Sequence, residues 1–109
     1  MPVHTTVPIT IQPDAAARVA ELGMQAELDR MIQYTCDVVP NLERVALVLE
    51  PPYDTGDEPY LTIEAYRSDA WTRDDETESE WGSWKVNTFP PHVCRHFAML
   101  VFYRNADAG

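Results

Sequence analysis

Three side chains able to bind metal or carry out nucleophilic chemistry fall within one pentapeptide, His92-Val93-Cys94-Arg95-His96. On a strand, His92, Cys94 and His96 would share a face. On a helix, the two histidines would share one at the i,i+4 spacing found in metal sites. A zinc centre usually draws its ligands in two pairs, and only one pair is present, so His4, Cys36 or a loop carboxylate would have to be folded in. Cys94 with a neighbouring histidine as base would be a nucleophile pair, but no glycine lies near it to shape an oxyanion loop. The competing reading needs no chemistry. The histidines bond to water or backbone, and the cysteine packs as a small apolar residue. That reading leads, so no cofactor is expected and the balance is against an enzyme.

Other catalytic patterns are weaker. With four glycines in the chain, neither common phosphate-cradling loop can be built, and no serine sits in a nucleophile elbow. Asp54-Thr55-Gly56 resembles the triplet of retroviral-type aspartic proteases. Here it lies between prolines and acids, Pro51-Pro52-Tyr53 and Asp57-Glu58-Pro59, without the second apolar segment that family packs behind its site. A turn accounts for Gly56. The run Asp74 to Glu80 has oxygens for calcium, but lacks the alternation and central glycine of an EF-hand loop.

Charge is the stronger signal. The formal net charge is −10, and residues 54–80 hold ten of the 18 carboxylates against Arg67 and Arg73 alone. The following stretch, Trp81 to Tyr103, has no carboxylate and is rich in aromatic and aliphatic residues. Nucleic-acid binding depends on Lys and Arg clustered to neutralise phosphates, and eight scattered basic residues exclude it. The same charge repels anionic membranes and would attract a basic protein partner. Trp71, Trp81 and Trp84 flank the acidic run, and tryptophan is enriched at the centres of interfaces. Trp71, Asp74, Asp75, Glu76, Trp81 and Trp84 are therefore the candidate partner-binding residues. For Trp81 and Trp84 the competing reading is a helix face covering a small sheet.

These residues need a scaffold. Residues 3–11 alternate and predict a half-buried strand, placed at a sheet edge by Pro8, which has no amide hydrogen to donate. Pro13 and Asp14 suit the first turn of a helix, and residues 14–36 carry apolar positions at helical spacing, with a kink or short break expected at Gly23. Val45-Ala46-Leu47-Val48-Leu49, within 43–50, predicts an interior strand covered, or nearly covered, on both faces. Residues 60–67 alternate with Leu61, Ile63 and Ala65 facing inward, and a long-looped antiparallel hairpin joins the two strands. An exposed acidic loop spans about 68–78. Thr77-Glu78-Ser79-Glu80 has the form of a capping box opening a short helix over 77–88. After Phe89-Pro90-Pro91 comes one helical turn and then an apolar run, 97–103, better suited to a strand than to a helix.

The expectation is one α+β domain over 1–109. A small, mostly antiparallel sheet of three to four strands is packed by a long N-terminal helix and a short second one. Without an export signal or a membrane span, it should be soluble and cytoplasmic, with Cys36 and Cys94 as free thiols. The function expected is non-catalytic: an acidic protein-binding or regulatory module, or a subunit of a homodimer, taking a basic protein partner or a second copy of itself. The alternative is a small metalloprotein or enzyme using His92, Cys94 and His96.

Overall fold

The computed structural model describes residues 7–51 and 58–104. The expected strand residues 3–6, His4, and the turn at Asp54-Thr55-Gly56 lie outside them. In chain order the elements are β1 (Ile9–Ile11), α1 (Pro13–Leu22), α2 (Gln25–Val38), β2 (Leu42–Glu50), β3 (Tyr60–Arg67), α3 (Thr77–Thr88), α4 (Pro91–Cys94) and β4 (Phe97–Phe102). The strands form one sheet in the order β1-β2-β3-β4. The architecture is α+β, as expected, but the sheet is not mostly antiparallel. β1 and β2 are parallel, β3 and β4 are parallel, and only β2 and β3 run antiparallel. The connections explain this, because a pair of helices joins each parallel pair and returns the chain to the end from which it started.

Local chemistry sets the boundaries. Pro13 opens α1, where a missing amide hydrogen costs nothing. The long N-terminal helix is in fact two. Gly23 ends α1 in the left-handed region at φ 67°, with its amide bonded back to Ala20, and α2 restarts at Gln25. Asn41 is the one non-glycine residue with positive φ, 56°, among the described residues. It makes the turn into β2, and its carbonyl accepts from the Ser68 amide at 2.8 Å. β1 lies at the sheet edge, and the Pro8 carbonyl accepts from Val45.

One face of the sheet carries the helices. Val45, Leu47, Leu61, Ile63, Ala65, Phe97, Met99 and Val101 meet Ala15, Val19, Leu28, Met31 and Trp81 in a single core. Trp81 is fully buried, and its indole Nε1 donates to the Thr35 hydroxyl at 2.9 Å. That hydroxyl in turn donates to the Met31 carbonyl at 2.7 Å. Trp84 stacks flat on Tyr34 with ring centroids 3.9 Å apart, and Phe89 meets Trp84 edge-on at 5.4 Å. β2 is interior to the sheet and covered on both faces only at its middle, where Val45, Ala46 and Leu47 are all buried. Its other outward residues, Arg44, Val48 and Glu50, retain exposure, because the described helices all pack against the other side.

α3 also seals the outer edge of β4. The Leu61 amide bonds to the His96 carbonyl, so by alternation Phe97 and Val101 direct their backbone groups away from β3. Lys85 Nζ donates to the Phe97 carbonyl at 2.7 Å, and Glu78 accepts from the Val101 amide at 2.6 Å. Charged side chains are a recognised means of blunting a strand edge.

Candidate functional site

The inward alternation of β3 does not stop at Ala65. The next inward position is Arg67, which is only 5% exposed. A guanidinium placed there must be paired, because a buried charge without a partner is strongly unfavourable. The acidic segment supplies the partners. Asp69 takes Arg67 Nε and Nη2 in a two-point contact, and Asp75 accepts from Nη1 at 2.6 Å. The Thr77 hydroxyl lies 3.3 Å from Nη1, and the Tyr103 ring centroid is 5.0 Å from the guanidinium carbon. Asn41 Nδ2 donates to Asp69, and the Arg104 amide donates to the Asp69 carbonyl. Residues 68–76 thus form a buckle closed around Arg67, and two of its carboxylates are internal counter-ions.

The titration behaviour follows from this geometry. Burial pushes the Asp75 carboxyl upward, but hydrogen bonds from the Thr77 hydroxyl and amide, from Arg67 and from Tyr103 outweigh it and hold it at about 2. Arg67 lowers Asp69 by hydrogen bonding. Burial, followed by the Asp75 carboxylate, pushes Tyr103 up to about 12. The expected capping box is not formed. Glu76 is the N-cap of α3, with no side-chain cap bond, and Asp75 accepts from the Thr77 amide at 2.9 Å. The Thr77 hydroxyl is turned to Arg67 instead.

Beside the buckle opens a cleft of about 590 Å³ lined by Trp71, Asp75, Glu76, Glu78, Ser79, Val101 and Tyr103. Trp71 is 61% exposed. Glu76 has no ion-pair partner among the described residues, and Asp74 is exposed. Glu78 is bonded to the neutral Val101 amide, so its charge is uncancelled. The cleft therefore sets an aromatic surface among carboxylates of which only Asp75 is neutralised. That combination suits a lysine or arginine side chain, through charge and through cation–π contact.

The partner-binding candidates separate accordingly. Trp71, Asp75 and Glu76 converge on the cleft, and Asp74 lies in the adjoining loop. Trp81 lies in the core and Trp84 within the Tyr34–Phe89 aromatic cluster, so both serve packing. Glu78 and Tyr103 are cleft residues that sequence reasoning missed. Tyr103 was readable only as the end of an apolar run, and Glu78 only as a helix-start acid.

His92, Cys94 and His96 diverge. His92 is exposed on α4. Cys94 faces α3, its Sγ 3.4 Å from the carbonyl oxygens of both Lys85 and Phe89, which share its one S–H donor. His96 is buried, and its neighbours include Arg18 and Glu58. Burial and then Arg95 lower its pKa, favouring the neutral ring. Among the described residues no group of three or more His, Cys, Asp or Glu could hold a metal ion. Cys36 is a half-buried free thiol on α2. Among the described residues no helix is long and apolar enough to cross a membrane.

No known protein family, curated protein or solved structure matches this chain.

Proposed function

We propose that this protein is a non-catalytic binding module whose acidic, aromatic cleft receives a basic segment of a partner protein. The observation that carries this reading is Trp71. A tryptophan 61% exposed at the mouth of a cleft bearing Glu76 and Glu78 supplies the apolar anchor and the charge expected at a small recognition site. The buckle around Arg67 supports it further, because it holds both sides of the cleft in place before a partner arrives. The net charge of −10 would speed the approach of a basic partner.

The reading is tested by affinity capture with three baits: wild type, Trp71→Ala and Glu76→Gln. Capture is run at about 0.05 M and about 0.5 M salt, which changes the screening length several-fold. A basic protein retained by the wild type at low salt, and lost at high salt and with either variant, is the expected result. A wild-type bait that retains nothing beyond what Trp71→Ala retains would refute the proposal.

A further inference from the structure

Lys85 is a half-buried cation without a carboxylate. It leaves the last turn of α3 and reaches β4, where Nζ donates to the Cys94 carbonyl at 3.2 Å and the Phe97 carbonyl at 2.7 Å, and it lies 5.9 Å from the Trp81 ring centroid. All three partners are neutral. Among the described residues no carboxylate pairs with Lys85, although Asp and Glu outnumber Lys and Arg 18 to 8 in the chain. Carbonyl oxygens disperse an ammonium charge without cancelling it, and two of them leave one of its three protons unused. Burial pushes the Lys85 pKa down, the mark of a charge short of compensation. Beside Lys85 opens a pocket of about 360 Å³ lined by Lys85, Val86, Phe89, Pro91, Cys94 and Arg95. That is within the roughly 300–1,000 Å³ of small-molecule sites. Val86, Phe89, Pro91 and the Cys94 thiol make its walls apolar. Phe89 is buried edge-on against Trp84, and Pro91 opens α4, so these walls are set before a ligand arrives. Arg95 adds a second cation. Its carboxylate contact is Glu58 at 3.6 Å, and Glu58 is shared with Arg18.

We infer that this pocket binds a small amphipathic monoanion, a carboxylate carried on an apolar body. Three features select this occupant. The first is the uncompensated ammonium of Lys85, with the Arg95 guanidinium beside it, which calls for an anion. A basic peptide, suited to the acidic cleft, would here set its charge against two cations. The second is the lining. Val86, Phe89 and Pro91 reward an apolar body, whereas a free phosphate would have to shed water against walls that offer it no hydrogen bond. The third is the charge of the whole chain. At −10, each negative charge on a ligand is opposed by the general field, so one charge with an apolar body is favoured over two charges without one. The site is independent of the acidic cleft. It lies at the other end of α3 and shares no lining residue with it.

Titration calorimetry with octanoate tests the inference. Octanoate should bind once per chain with a Kd of about 0.1–1 mM, the range for about ten non-hydrogen atoms. Octanol, acetate and inorganic phosphate should each bind at least about tenfold more weakly, since each lacks the charge or the apolar body. Alkylation by iodoacetamide places the ligand. Octanoate at about 2 mM should slow the reaction of Cys94, which lines the pocket, at least about twofold, and leave that of Cys36 on α2 unchanged. Val86 is 62% exposed, so Val86→Glu adds a carboxylate at the rim without disturbing the core, and it should weaken octanoate at least about tenfold. Lys85→Met, with its thermal unfolding checked separately, should abolish the preference for octanoate over octanol. Trp71→Ala should change nothing, which separates this site from the acidic cleft. Cys94 left unprotected by octanoate overturns the inference, with or without a heat of binding. So does octanol binding as tightly as octanoate, or an octanoate affinity unmoved by Val86→Glu.

Discussion

Replacing Asp75 by Asn should cost stability at neutral pH, and the cost should vanish in acid. In the native protein this carboxyl titrates at about 2, against about 3.9 in an unfolded chain. A depressed native pKa contributes stability that is fully present above the unfolded value and is lost as pH falls through the native one. The window is therefore about pH 4 down to about pH 2. At about 1.4 kcal/mol per pH unit, the difference amounts to at most about 2.5 kcal/mol. The carboxylate side chain is 12% exposed and sits in a surface loop, so screening reduces this to about 1–2 kcal/mol. Asparagine keeps the shape and can still accept from the Thr77 amide, so the loss is chiefly that of the charge facing Arg67, with Asp69 still in place. Urea unfolding at pH 7, 4, 3 and 2 reads the difference directly, because every other carboxylate titrates in both proteins. At a slope near 1–1.5 kcal/mol per molar, the midpoints should lie about 1 M apart at pH 7 and nearly coincide at pH 2. A gap that stays constant from pH 7 to pH 2, or no gap at pH 7, would refute the assignment of Asp75 as the counter-ion of a buried Arg67.

Two glycine substitutions should act in opposite directions. Gly82 lies within α3 with no atom within 4 Å of an added Cβ, so Gly82→Ala should raise stability by about 0.5–1 kcal/mol. Gly23 is equally uncrowded but sits at φ 67°, so Gly23→Ala should lower it by about 1 kcal/mol. Both are read by urea unfolding. Trp81→Phe keeps most of the burial but removes the bond to Thr35, and should cost about 1–3 kcal/mol, visible as a drop in melting temperature. Burial and then Asp37 raise the Cys36 thiol, so its reaction with a disulfide reagent should be slower than that of a free thiol at pH 8 and should keep rising at pH 9 and above.

Much of the scaffold was legible because single residues decide it. Pro13 and Pro91 each open a helix, Gly23 divides one, and the period-2 pattern from Tyr60 places Leu61, Ile63 and Ala65 inward. Thr77 to Thr88 was readable as a helix from its flanking acids and prolines. Strand direction is not encoded in the apolar runs themselves but in what joins them. Helices between β1 and β2, and again between β3 and β4, supply the long crossovers that parallel neighbours require. The buckle was missed for a related reason. The alternation Leu61, Ile63, Ala65 continues to Arg67, a buried charge that requires carboxylates although its residue type reads as surface. Asp69 and Asp75 are the counter-ions of Arg67, which leaves Asp74, Glu76, Glu78 and Glu80 without an ion-pair partner among the described residues. The divergence of His92, Cys94 and His96 could not be read from spacing, because a single turn of α4 followed directly by β4 changes the backbone period within the pentapeptide. The Trp81 to Phe89 segment carries aromatic residues for packing, which composition alone does not distinguish from recognition.

The sealing of β4 by Glu78 and Lys85 bears on how this chain could polymerise. A sheet grows without limit only when each added copy offers a free edge at both ends. Here one edge is occupied by side chains of the chain's own helix, and the other is β1, three residues long. If two copies pair through β1, each presents a sealed β4 outward, and growth terminates after a single addition. Loss of Glu78 or Lys85 would turn a chain-terminating end into a propagating one.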